Sequence, residues 1–309
     1  MKHTILGVGG SVGNALAYEL LNKNEKVRLV SRSGFSIQGA EIFKADLNSY
    51  NETLKSIEGS DVAYLTVGLP YNSKIWDEKW PVIMQNTIDA CKKSGVKLIF
   101  FDNVYMYGKV NGEMTENTPY NPCSKKGEIR ARVATMLEEE MKNDNIKAVI
   151  ARAADLYGPF GTKTSLPFIF VIDKLMKGKK AQWLVSDKKK HSFTYTIDMA
   201  KGMVLLANNE ESNNQIWHLP TYNPAITGKE FIELVAKELN VEPNYSILKK
   251  WMIKMAGFFD RTISEVYEML YQNEDDYIFN STKFNDFFNY KPKTYSEGIK
   301  ETIKHLKNE

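Results

Sequence analysis

The stretch from Gly7 to Gly13 reads Gly-Val-Gly-Gly-Ser-Val-Gly, and it constrains the fold more than any other part of the chain. An apolar run, Thr4 to Leu6, leads into it, and Asn14 to Leu21 follows with apolar residues at helical spacing. Strand, glycine turn and helix, in that order, form the context in which such a motif binds a dinucleotide. Without Cβ atoms the backbone can approach a pyrophosphate, and the helix start offers N–H groups and partial positive charge. Gly7, Gly10, Ser11, Val12 and Gly13 are therefore the expected phosphate-side residues.

Beyond the turn the chain alternates strand-like and helix-like segments. Strands are expected at 4–8, 26–30, 41–44, 61–67, 97–101 and 148–153, and helices at 12–23, 50–57, 80–93 and 124–141. This rhythm implies an α/β fold with a doubly wound parallel sheet covered on both faces. After Gly158-Pro159 the rhythm breaks. Helices are expected near 168–176, 198–207, 227–239, 248–259 and 296–306, and strands near 192–196 and 215–219. Residues 1–158 are thus read as a dinucleotide-binding domain, and 159–309 as a smaller α-rich substrate lobe whose segments can interleave with it. The late aromatics Trp183, Trp217, Trp251, Phe258, Phe259, Tyr267, Tyr271 and Tyr277 are expected to fill the core and the contact between lobes.

Composition narrows the partners. A net charge of +3 with mixed signs argues against nucleic acid, and Lys188-Lys189-Lys190 reads as a solvated loop. No apolar run approaches the ~20 residues of a membrane span, so no membrane partner is expected. Cys91 and Cys123 have neither disulfide nor metal-site spacing, which suggests a reducing cytoplasm and no metal.

In such folds an acidic residue closing the second strand holds the adenosine ribose of NAD. Here that strand ends Val30-Ser31-Arg32-Ser33, without a carboxylate. Arg32 is placed to pair with a 2′-phosphate and Ser31 to assist, so NADP(H) is the expected cofactor and NAD(H) the alternative. Asp46 and Leu47, after the third strand, are expected beside the adenine. Thr66, Val67 and Gly68, after the fourth, are expected beside the nicotinamide ribose.

With these residues in view, the chain resembles the extended short-chain dehydrogenase/reductase superfamily, of the nucleotide-sugar epimerase/dehydratase type. The likeness includes the Gly7/Gly10/Gly13 spacing, Asp61 to Gly68, Tyr105-Met-Tyr107-Gly108, Arg152 to Pro159 and Ser192 to Asp198. It implies a catalytic Ser/Thr four residues before the tyrosine of the Tyr-Gly pair, then Tyr-x-x-x-Lys on the next helix. Those positions hold Asn103, Lys126 and Arg130, so all three identities differ. Lys126 and Arg130 share a helix face. Arg130 could hold the cofactor ribose, Lys126 could pass a proton if its pKa were lowered, and Asn103 could polarise a substrate carbonyl. Asp102 is the alternative partner, holding Lys126 charged. Tyr105 is the reserve acid, and Asp155 and His191 are substrate-side candidates.

Three functions follow. The leading one is an NADP(H)-dependent oxidoreductase acting on a small carbonyl or alcohol through an atypical lysine site. The others are a non-catalytic NADP(H)-binding redox sensor and a nucleotide-sugar epimerase or dehydratase. In the resemblance, the third and fourth helices also build a homodimer; Ala131, Val133 and Ala134 are small enough for that and equally suit packing on the sheet.

Overall fold

The computed structural model describes residues 1–161 and 165–308. Strand β1 (Lys2–Leu6) passes through the glycine turn into α1 (Ser11–Asn22), followed by β2 (Lys26–Ser31), β3 (Glu41–Lys44) and α2 (Tyr50–Ile57). Next come β4 (Val62–Leu65), α3 (Ser73–Ser94), β5 (Lys97–Asp102), the short β6 (Glu113–Met114), α4 (Lys125–Lys142) and β7 (Ala148–Arg152). The second half holds β8 (Asp155–Tyr157), α5 (Asp173–Met176), β9 (Ala181–Leu184), β10 (Lys190–His191), β11 (Phe193–Tyr195), α6 (Thr196–Ala207) and β12 (Gln215–His218). It ends with β13 (Ile226–Thr227), α7 (Gly228–Leu239), β14 (Tyr245–Leu248), α8 (Lys250–Gly257), α9 (Arg261–Tyr267), β15 (Ile278–Phe279), α10 (Thr282–Phe287) and α11 (Tyr295–Lys307).

Seven strands form one sheet in the order β12-β7-β5-β4-β1-β2-β3, every neighbour parallel. Continuous apolar runs such as Val62 to Leu65 and Ala148 to Ala151 are buried because helices cover both faces. One core lies between the sheet and α2, α3 and α4, and includes Leu65, Trp80, Ile88, Phe100 and Val133. The opposite core, against α1 and α6, includes Ile5, Leu16, Tyr64, Met203 and Trp217. Strand order reverses beside β1, so the crevice for a ligand opens at its carboxyl end.

Several elements differ from expectation. The third helix begins at Ser73, not near Trp80, because Asn72 caps it by accepting from the Lys74 and Ile75 amides. Pro81 lies inside the helix. β12 and α6 follow residue 158 yet belong to the large sheet and its cover, so the chain returns to the first unit after building part of the second. Val133 and Ala134 are buried within the chain, Val133 in the core under the sheet, and Ala131 is half-buried. The expected helix at 248–259 stops at Gly257, and Asp260 caps a separate α9. Trp251, Phe258 and Phe259 are not core residues: Ile253 turns α8 inward and leaves them at 64, 78 and 92 % exposure. Trp183, Trp217, Tyr271 and Tyr277 are buried as expected.

Candidate functional site

The glycine turn is shaped by contacts that exclude side chains. Gly7 has φ +103°, and a Cβ there would stand 2.5 Å from the Val67 Cα. A Cβ on Gly13 would stand 2.9 Å from the Gly7 carbonyl oxygen. Thr66 fastens β4 to the turn, its hydroxyl donating towards the Leu6 and Gly7 carbonyls, each at 3.3 Å. Above Gly10 the situation reverses: nothing lies within 4 Å of a Cβ there. Gly10 is the N-cap of α1 and brings no side-chain acceptor to the helix start. Closed below and open above, the turn fits a dinucleotide pyrophosphate.

At the next strand end Arg32 is exposed and makes no ion pair among the described residues. Ser31 serves the local turn, its Oγ accepting from the Gly34 and Phe35 amides at 3.1 and 2.9 Å. Asp46 stays at the rim. Hydrogen bonds from the Asn48 backbone and side chain hold its carboxyl below the usual range, and Arg32 adds to this. Leu47 does not: its side chain is buried in the core and its carbonyl accepts from Asn86 Nδ2 at 2.9 Å. Val67 is half-buried against the turn, and Gly68 is exposed.

The carboxyl end of β5 is a buried charge cluster. Asp102, fully buried, accepts from Arg130 Nε at 2.8 Å and pairs with its second nitrogen. Its other oxygen lies 3.4 Å from Arg152 Nε. The Arg130 guanidinium stacks over Trp80 and Phe100, 4.4 and 4.9 Å from their ring centres. Arg152 also donates to Tyr107 Oη at 2.8 Å and to Tyr120, which bonds Glu138. Tyr107 in turn meets His218 Nε2 at 2.8 Å, while His218 Nδ1 faces the Asn280 carbonyl at 2.7 Å. A carbonyl can only accept, so His218 carries a proton on Nδ1. Burial pushes its pKa down to about 3. Arg130 is thus engaged by Asp102, not standing free for a ribose, and Asp102 is not the partner of Lys126.

Lys126 is fully buried, and its partners come from the far lobe. Its ammonium donates to the Glu265 carbonyl at 3.1 Å, to the Glu265 carboxylate, and to Glu268 Oε1 at 2.7 Å. Three donors meet three acceptors, with the Tyr71 ring 4.5 Å away. Lys126 is thus held between two carboxylates and has no donor left over for a ligand. The same carboxylates cap two helices: Glu265 accepts from the Ser73 amide at 3.0 Å, and Glu268 from the Lys125 amide at 2.9 Å. Burial would raise the Glu265 carboxyl, but Lys126 and Ser73 outweigh it and hold the pKa below the usual range.

Asn103 and Tyr105 leave β5 together. Asn103 Oδ1 accepts from the Tyr105 amide at 3.1 Å, which leaves the Asn103 amide hydrogens directed elsewhere. The Tyr105 ring stacks on Trp76, and its hydroxyl lies beside that of Tyr71. Burial first, then the Asp155 charge, drives the Tyr105 pKa up, so the phenol is protonated at neutral pH. Asp155 meets His191 Nε2 at 3.0 Å, and the two line a small pocket of 20 Å³ with Phe170, Trp183 and Phe193. His191 Nδ1 is buried without a hydrogen-bond partner. A polar cleft of 470 Å³ opens beside Cys123, Lys125 and Glu268, with Lys109, Lys250 and Glu274 on its wall.

Glu265, Glu268, Tyr71, Tyr120, Glu138 and His218 were not foreseen. The only signal was chemical: a lysine and two arginines in buried strand and helix positions require acidic partners somewhere.

A doubly wound sheet with a glycine cradle at its switch point defines a dinucleotide-binding protein. More narrowly, residues 3–219 match the NAD dependent epimerase/dehydratase family, and the chain belongs to that family. A Bacillus subtilis (strain 168) protein named as an uncharacterized UDP-glucose epimerase, YtcB, is 23% identical over 210 residues, 65% of this chain and 64% of that protein. The chain therefore spans just under two thirds of that relative's length. Among solved structures, a Bacillus anthracis str. Ames dTDP-glucose 4,6-dehydratase in complex with NAD superposes with a TM-score of 0.82 at 15% identity, covering 100% of this chain and 97% of that one. A Bacillus cereus UDP-glucuronic acid 4-epimerase, in complex with UDP-glucuronic acid and NAD, gives 0.81 at 18% identity, covering 100% and 99%. At these identities the superpositions speak for the fold.

Proposed function

We propose that the protein is a nicotinamide-dinucleotide-dependent oxidoreductase acting on the carbonyl or alcohol carbon of a nucleotide-linked sugar. The observation that carries this reading is the pairing of Asn103 and Tyr105 at the end of β5, an amide donor beside a protonated phenol. When bound, the cofactor supplies the exchangeable hydride. Gly7, Gly10 and Gly13 hold its pyrophosphate, and exposed Arg32 supports NADP(H) over the NAD held by the structural relatives. Asn103 polarises the substrate oxygen, and Tyr105, with Tyr71 beside it, donates a proton to that oxygen. Asp155 and His191 orient the substrate from the second lobe. Lys126 is assigned to holding the lobes together in place of proton transfer. The free thiols Cys91 and Cys123 suit a cytoplasmic setting.

The second reading, a dinucleotide sensor without turnover, is favoured by the engagement of both Lys126 and Arg130 in ion pairs. Hydride transfer to a panel of UDP- and dTDP-linked keto sugars separates the readings. Tyr105→Phe is expected to lower turnover by about 10²–10⁴-fold while keeping dinucleotide affinity. Lys126→Met is expected to lower the melting temperature more than the rate constant. Loss of turnover in Lys126→Met alone, with the fold intact, returns the proton to Lys126. Tight dinucleotide binding with no transfer to any sugar selects the sensor.

A further inference from the structure

The hairpin of α8 and α9 has two unlike sides. Its inner side carries Ile253 into a small core with Leu184 and Leu270, and sends Glu265 and Glu268 to Lys126. Gly257 lets the helices close: a Cβ there would stand 3.1 Å from the Ser264 Cα. The outer side is bare. Trp251, Met252, Met255, Phe258 and Phe259 are all exposed, five large apolar side chains within nine residues. Exposed apolar clusters of this kind mark interaction surfaces, whereas single exposed residues do not.

Charge on the same hairpin indicates what covers it. Lys249, Lys254 and Arg261 are exposed and pair with no carboxylate among the described residues. Lys250 is paired with Glu274. The acidic residue of the tip, Asp260, is turned to the α9 amides of Thr262 and Ile263. The outer side is thus apolar with an unbalanced positive margin, and Lys250 and Lys254 flank Trp251 and Met255 at helical spacing.

We propose that this hairpin docks on an anionic lipid surface, with Phe258, Phe259 and Trp251 entering the interface and Lys249, Lys254 and Arg261 meeting the headgroups. Apolar insertion and attraction to anionic lipid act together in such helices. A second copy fits less well. Face-to-face association would set the three cations of one chain against those of the other, and neither cavity described above accepts two phenyl rings: one holds 20 Å³ and the other is lined by charge. No helix among the described residues is long and apolar enough to cross a membrane, so the contact is peripheral. The expectation of no membrane partner rested on spanning segments alone, and surface docking lies outside it.

Co-sedimentation of the full chain with phosphatidylcholine vesicles, and with vesicles that also contain phosphatidylglycerol, tests this. Binding is expected to the anionic vesicles and to weaken with added salt. Phe258→Ser with Phe259→Ser should reduce it about tenfold or more, as should Lys249→Gln with Lys254→Gln and Arg261→Gln. All five positions are exposed, so melting temperatures should not move. The proposal is overturned if the wild type sediments with neither vesicle, if the aromatic variant binds as well as the wild type, or if sedimentation velocity shows a dimer that the aromatic variant abolishes.

Discussion

Two helices begin at the carboxyl edge of the same sheet, and they treat charge in opposite ways. α1 starts at Gly10, whose missing side chain leaves open space where a Cβ would stand. α4 starts at Ser124 and is crowded: Glu268 takes the Lys125 amide, two carboxylates take Lys126, and Asp102 takes Arg130. One start is left ready for an anion from outside, and the other is satisfied by anions from within the chain. The contrast explains why resemblance in the glycine turn says so little about the chemistry further along: a region built to receive a ligand and a region built to hold the protein together can share one edge.

The sharpest way to break this comparison is at Asp102. Asp102→Asn removes the counter-charge from two buried guanidiniums, and is expected to cost about 3–5 kcal/mol in urea denaturation. A loss below ~1 kcal/mol would mean that the α4 side is not held by its charges. At the turn, Gly7→Ala should destabilise by roughly 1–3 kcal/mol through positive φ and the clash with Val67. Gly10→Ala should leave stability within ~0.5 kcal/mol yet weaken dinucleotide binding, because the added methyl occupies ligand space only. Equal effects of the two substitutions on folding would remove the distinction between the closed floor and the open roof.

The pH response should belong to the charged side. His218 has a pKa of about 3 in the folded protein, below the ~6.5 of an unfolded chain. Between these values the unfolded state binds the proton and the folded state does not, so stability falls as pH falls, by up to about 1.4 kcal/mol per unit. Melting temperatures followed from about pH 7 to about pH 4 should fall less steeply in His218→Asn. The smallest effect is expected at Arg32. Arg32→Ala should weaken NADP(H) about tenfold, in the range of one charge-assisted hydrogen bond, and leave NAD(H) and folding unchanged. Equal or tighter binding of NAD(H) by the wild type would sink the assignment of the phosphorylated cofactor.

The sheet was legible because its strands are continuous apolar runs, and a strand buried on both faces leaves that mark locally. The glycine turn was legible for a similar reason: sterics at Gly7 and Gly13 act between residues that the motif itself specifies. Asp155 and His191 were each singled out in the chain, and the structure joins them at 3.0 Å. The setting of Lys126 was not legible. Glu265 lies 139 residues away, on a helix whose start at Asp260 was hidden behind a run of aromatics. Those aromatics misled in turn, since nothing in the composition separates a Phe that fills a core from one that faces outward.

The reach of Glu265 and Glu268 back to Lys126 also settles how this molecule can be taken apart. A fragment ending before α9 would leave a buried ammonium without counter-charge and take the carboxylate acceptors from the first amides of α3 and α4. One ending before β12 would also expose the edge of β7. The cofactor-binding half is therefore tied to the second lobe by buried charge and by a shared sheet. A different second lobe grafted onto it would have to supply carboxylates for the lysine at the start of α4, so Lys126, Glu265 and Glu268 would have to be exchanged together.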